Sequence, residues 1–168
     1  MKTIVAATAM AVIASAGQAA AKSQARVAGP SCPSISILTD ATRITQMKNG
    51  RIDLKAEIRE PEIACTVANG KAKSKLSFWV KSAIAPTSDV AARNVPYFVA
   101  IIANGEVIAK EIFDLKLNFT SDRMLKVKES VAKIDIPIAE GKEAQDYSVT
   151  IGFQLTEAQA EYNRTASR

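Results

Sequence analysis

The sequence predicts an all-β fold, an antiparallel β-sandwich of the immunoglobulin or fibronectin type III kind with seven to nine strands and a short C-terminal helix. Three observations predict it. Apolar and polar residues alternate with a period of two in one stretch after another, the pattern of half-buried strands. Asn69-Gly70 and Asn104-Gly105 each stand between two such stretches, and Asn-Gly supplies the two positive φ angles of a type I′ hairpin turn. Turn signals recur roughly every 8–12 residues, the spacing of a sandwich.

The chain opens with Lys2, an apolar alanine-rich run from Ile4 to Ala16, and the small residues Gly17-Gln18-Ala19-Ala20-Ala21. This is the pattern of a secretory signal peptide over residues 1–21, cleaved after Ala19 or Ala21. Its apolar run falls short of the about 20 residues that a spanning helix needs, and no other stretch reads as a transmembrane segment. Residues 22–31 are a polar lead-in, expected to be mobile. Residues 32–168 are expected to form one domain, long enough for a core of its own.

Pro33 to Leu38 reads as a first strand and Thr39-Asp40 as a turn. Ala41 to Lys48 is a strand or an irregular edge. After Asn49-Gly50, Ile52, Leu54, Ala56 and Ile58 alternate with Asp53, Lys55, Glu57 and Arg59. Pro61 cannot donate to a ladder and marks a kink or a strand break. Glu62–Ala68 and Lys71–Ala85 form a hairpin in which Val67 faces Ala72, Cys65 faces Ser74 and Ile63 faces Leu76. Both strands keep their apolar phase across that register, with Phe78, Val80 and Ile84 on the same face. Residues 86–94 are a loop.

Val95–Phe119 forms a second hairpin. Counting back from Asn104-Gly105 pairs Ala103 with Glu106, Ile102 with Val107, Ala100 with Ala109 and Phe98 with Glu111. That places Phe98, Ala100 and Ile102 inward, followed on the second strand by Phe113, Leu115, Leu117 and Phe119. Glu111 breaks the pattern: it sits at the rim of the core, or a bulge near Lys110 resets the phase and turns Ile112 inward. The first strand is apolar on both faces, which places it centrally in its sheet. All five phenylalanines (78, 98, 113, 119, 153) fall on faces read as inward.

Thr120-Ser121-Asp122 is a turn. Leu125–Ile138 makes one long strand or two short ones, with Pro137 suited to an edge or an end. Residues 140–145 are a polar loop. In Asp146–Leu155, Tyr147, Val149, Ile151, Phe153 and Leu155 point one way and Asp146, Ser148, Thr150, Gly152 and Gln154 the other. Thr156 and Gln159 fit a capping box opening a helix that runs to about Arg164, and a helix this short must dock or fray.

Cys32 and Cys65 are the only cysteines. In an exported chain their default state is a disulfide, and closing a loop of about 34 residues is worth roughly 3–4 kcal/mol. Gly29-Pro30-Ser31 before Cys32 is not a lipobox, so lipidation is not expected. The net charge is +5, and removing residues 1–21 deletes one lysine and no acid. A mildly basic balance favours anionic surfaces only weakly.

The chain contains no histidine. That removes the usual general base, the Ser-His and Cys-His nucleophile pairs and the commonest metal ligand. An enzyme would have to use paired carboxylates or a Ser-Lys pair. Asp53, Glu57, Glu62, Asp114, Glu129 and Asp135 alternate with inward residues as solvent-facing positions should, and Ser74 and Ser82 lie on an apolar face away from the lysines. No activity, catalytic residue, metal or cofactor is expected, and nothing points to a specific nucleic acid.

One face looks suited to a partner. Opposite the core, the strand after Asn69-Gly70 carries Lys71, Lys73, Lys75, Trp79 and Lys81. Lysines with a tryptophan can hold a polyanion. The same residues also make an ordinary solvated strand face, or an edge guarded against aggregation.

At Cys32-Pro33, Pro96-Tyr97-Phe98-Val99-Ala100-Ile101, Gly152-Phe153-Gln154-Leu155-Thr156 and Asn163-Arg164, the chain resembles a family of small exported proteins of alphaproteobacteria. Its members are uncharacterised or described as lipoproteins. The resemblance implies an envelope location, hence the periplasm, and no activity. Two functions follow as expectations. One is a binding or structural module contacting an envelope protein or an anionic polymer. The other is a carrier of a small apolar ligand between the sheets. The oligomeric state is left open.

Overall fold

The computed structural model describes residues 32–166. The expected signal peptide (1–21) and lead-in (22–31) lie outside them. Eight strands and one helix follow in order: β1 (Ser34–Ile37), β2 (Arg43–Lys48), β3 (Arg51–Ala68), β4 (Lys71–Ile84), β5 (Ala92–Ala103), β6 (Glu106–Asn118), β7 (Met124–Pro137), β8 (Tyr147–Phe153) and α1 (Glu157–Ala166). They form two four-stranded sheets, β1-β8-β5-β6 and β2-β3-β4-β7, stacked as the expected sandwich. All pairings are antiparallel except β1 with β8. The second sheet is a meander through β2, β3 and β4, and β7 returns to its far edge.

The three Asn-Gly turns set the hairpins. Asn49, Asn69 and Asn104 have φ of 52°, 53° and 50°, and the glycines that follow have 72°, 68° and 82°, as a type I′ turn requires. At Asn69-Gly70 the register is the expected one, with Val67 on Ala72, Cys65 on Ser74 and Ile63 on Leu76. Pro61 neither breaks nor ends β3. The strand passes through it by a bulge between Arg59 and Glu62, where Glu60 takes a φ of 51°.

The β5–β6 hairpin departs from the register counted from its turn. Ala103 and Ile102 face Glu106 and Val107 as expected, but Ile101 faces Ala109 and Phe98 faces Ile112. Ile108 is therefore an extra residue, a bulge that flips one strand's faces relative to the other. The inward face of β5 is Val95, Tyr97, Val99 and Ile101, all in the main core, and not Phe98, Ala100 and Ile102. Phe113, Leu115 and Leu117 do point inward. Glu111 stays at the rim, opposite Val99 and exposed, while Ile112 faces outward and is 56 % exposed.

Phe98 is buried all the same, against Ala41 on the outside of the first sheet, with Ala100 and Leu155. Gly152, opposite Phe98 on β8, makes this packing fit. A Cβ there would stand 2.7 Å from the Ala41 Cβ and 3.0 Å from the Phe98 ring, inside van der Waals contact. Between the sheets, Phe78 meets Tyr97 edge to face at 5.2 Å and Tyr97 stacks on Phe113 at 5.3 Å. Phe78, Tyr97, Phe153, Leu76, Leu117 and Ile151 are almost fully buried.

Cys32 and Cys65 are bonded, with Cα atoms 5.7 Å apart. The disulfide ties the chain just before β1, in one sheet, to β3 in the other. Thr156 and Gln159 close the expected capping box: the Thr156 N–H donates to Gln159 Oε1 at 2.9 Å and the Gln159 N–H to Thr156 Oγ1 at 3.3 Å. No residue of α1 is buried. The helix is held by polar contacts instead. Asn163 Nδ2 donates to the carbonyls of Arg43 (2.7 Å) and Asp40 (3.0 Å), and Gln159 Nε2 to that of Thr45 (3.3 Å).

Candidate functional site

The outer face of the second sheet is where the sequence placed a partner surface, and Lys71, Lys73, Lys75 and Lys81 are exposed there with Trp79 half-buried among them. Strand pairing sorts these five residues into two groups. Lys71 lies opposite Pro137 at the hairpin end, and Lys73 opposite Asp135. Lys73 and Lys75 line a shallow depression of about 500 Å3 with Lys133 and Asp135. It lies over a bulge at which Ala132 and Lys133 of β7 stand against Lys75 alone.

Trp79 and Lys81 belong to a denser group. On β3, Arg59 lies beside Trp79 and Glu57 beside Lys81. On β7, Lys128 lies beside Trp79 and Lys126 beside Lys81. Lys126 Nζ sits 4.3 Å from the centre of the indole ring and Lys128 Nζ 5.9 Å, so the ring carries two cations on its π surface. Arg59 is paired with Glu57 at 2.8 Å and Lys128 with Glu62 at 3.3 Å. Among the described residues, no carboxylate lies within ion-pair distance of Lys81 or Lys126. Like charges directly opposite on neighbouring strands destabilise a sheet, and here two lysines face each other with no carboxylate between them.

Beside this group a groove of about 950 Å3 runs between the sheet and α1. Arg43, Lys55, Arg59, Lys81 and Lys126 line it, with Met124 and Tyr162 as exposed apolar walls. Its carboxylates are Asp40 and Glu57, and Glu57 is engaged by Arg43 at 3.7 Å as well as by Arg59. This groove lies outside the sandwich, on the basic face. Sequence reading missed Arg43, Lys55, Lys126 and Lys128 as members. Lys126 and Lys128 alternate with Leu125 and Val127 as an outward face should, but nothing local announces that they flank a tryptophan 47 and 49 residues earlier.

The six carboxylates are not all solvent-facing, as the alternation suggested. Asp53 is an extra residue in β3, skipped between the pairs Gln46–Leu54 and Met47–Ile52, and it is buried. Arg93 donates to it from Nε at 2.7 Å and from Nη2 at 3.1 Å. The hydrogen bond from Arg93, helped by Ser88, holds the carboxyl at about 2, and the same pairing raises Arg93. Glu129 lies opposite Phe78 on the core side and accepts from Tyr97 Oη at 3.0 Å. Burial, and then the nearby Glu129 charge, push the Tyr97 hydroxyl well above its ordinary range. Arg93 also donates to the carbonyls of Asp89, Ala91 and Ala92, so the first pair ties the 89–93 segment to β3.

Among the described residues no group of three His, Cys, Asp or Glu side chains is placed to hold a metal ion, and no helix is long and apolar enough to cross a membrane. No family model matches the chain, and neither a curated protein nor a solved structure matches it.

Proposed function

We propose that the chain is a non-enzymatic binding module of the cell envelope. Exported by the signal peptide read in residues 1–21, it holds an anionic polymer, carrying phosphate or carboxylate groups, on the outer face of its second sheet. One observation carries this reading. Arg59, Lys81, Lys126 and Lys128 surround the half-buried Trp79, and among the described residues no carboxylate lies within ion-pair distance of the opposed pair Lys81–Lys126. A phosphate or carboxylate between those lysines would relieve their repulsion, while the indole offers a flat surface for a sugar ring or another planar group. The adjoining groove lengthens the basic track toward Arg43 and Lys55. An oxidising envelope compartment also suits the disulfide.

The test is retention of the folded chain on an immobilised anionic polysaccharide. Lys81→Gln with Lys126→Gln should lower the salt needed for elution well below that of the unmodified chain, because counterion release scales with the number of charges engaged. Lys71→Gln with Lys73→Gln removes the same charge at the far end of β4 and should lower it much less. Equal effects from both pairs, or no effect from either, would reduce this surface to an ordinary solvated strand face.

A further inference from the structure

A second surface stands apart from the basic face. β6 is the last strand of the first sheet, so among the described residues one flank of its backbone has no neighbouring strand. From Glu106 to Ile112 every residue is exposed, including Val107 (60 %), Ile108 (50 %) and Ile112 (56 %). An exposed strand flank is a template for another strand.

We propose that β6 pairs antiparallel with β6 of a second copy of this chain, about a two-fold axis at Ile112. The strand's charges can complement those of its own copy, and among axes from Lys110 to Asp114 they select the register. In a two-fold pair of identical strands, a residue on the axis faces itself and its neighbours face each other's mirror positions. An axis at Lys110, Glu111 or Asp114 sets a charge against its own copy. An axis at Phe113 sets Lys110 against Lys116. At Ile112 the isoleucines meet, Lys110 faces Asp114 of the other copy on both sides, and Glu111 faces Phe113. No like charges are opposed between Ala109 and Leu115.

The arrangement uses residues free to make it. Asp114 is exposed, and Lys110 leans back over the Phe98 ring (4.6 Å) to Gln154 Oε1 (2.9 Å), so dimerisation exchanges a neutral acceptor for a carboxylate. The Ile108 bulge ends the regular stretch on one side. The same lysines that discourage other registers leave this one open, and the two first sheets would join into one continuous sheet of eight strands. About seven residues per copy bury less surface than a standard interface, so the dimer is weak and forms at high concentration.

Sedimentation velocity of the disulfide-bonded chain from about 10 μM to about 1 mM tests this. The unmodified chain should show a concentration-dependent shift from monomer toward dimer. Lys110→Asp alone and Asp114→Lys alone should each weaken association about tenfold or more, because each converts both cross-strand pairs to like charges. The two substitutions together restore opposite charges and should return the association. A chain monomeric throughout overturns the proposal, and so does a double variant no better than the singles. Both positions are exposed, and circular dichroism confirms that the variants fold. Anionic-polymer retention does not depend on the outcome, since no residue of the basic face lies on β6.

Discussion

Asp53 and Arg93 are the clearest case of one side chain's chemistry shaping the fold. A carboxylate taken out of water is costly unless it is hydrogen-bonded and paired, and Asp53 receives two N–H groups from Arg93. Its carboxyl is held at about 2 against an ordinary 3.8, which corresponds to about 2 kcal/mol of stability. The sign follows from the depression. The contribution is full above the unfolded value and is lost as pH falls through the folded one. Asp53→Asn leaves the buried guanidinium without its counter-charge and should cost about 3 kcal/mol at pH 7. The gap to the unmodified chain should narrow toward pH 2, as the native carboxyl also becomes neutral. Urea unfolding at neutral and acid pH reads both effects. Alternation alone placed Asp53 in solvent, because a bulge that removes a residue from its ladder leaves no mark in a period of two.

At the scale of elements, α1 shows how a short segment is kept without a core of its own. It has ten residues and buries none, below the length at which a helix is stable in isolation. Its capping box was legible because the chemistry is local, from Thr156 to Gln159. Its docking was not, because Asn163 reaches carbonyls 120 and 123 residues away. Asn163→Ala should release the helix, speeding amide exchange across 160–166 while leaving the global unfolding midpoint nearly unchanged. The two hairpins teach the same lesson. Asn69-Gly70 and Asn104-Gly105 made identical turns, yet the first carried its register back to Glu62 and the second only to Ile102. Ile108 ended the second, and Phe98 left the main core for a pocket that Gly152 keeps open beneath Ala41.

At the scale of the molecule, the disulfide is the covalent tie between the sheets. Cys32 precedes β1 and Cys65 lies in β3, a sequence separation of 33. Replacing both with serine should leave the sandwich folded and lower its stability by roughly 3–4 kcal/mol, chiefly by freeing the unfolded chain. Unfolding curves of the oxidised, reduced and substituted chains check this, and the last two should coincide. A loss of that size is a large share of the about 5–15 kcal/mol typical of a domain. The basic face is also a property of the whole molecule. It draws on β2, β3, β4 and β7, and its cations converge only when β7 lies down beside β4.

By itself the sequence determined what a residue and its near neighbours decide. That covers the period of two, the positive φ of Asn-Gly, the helix cap, the disulfide between the two cysteines, and the outward lysines of β4. These follow from backbone sterics and from side-chain direction, which act over a few residues. Only the tertiary structure decided that β8 pairs with β1 in parallel, that Asp53 is buried, that Phe98 packs outside the main core, and that Lys126 lies over Trp79. Each depends on which strands become neighbours and where a bulge slips the register. Packing of the two inner faces settles those choices, and no local term encodes them.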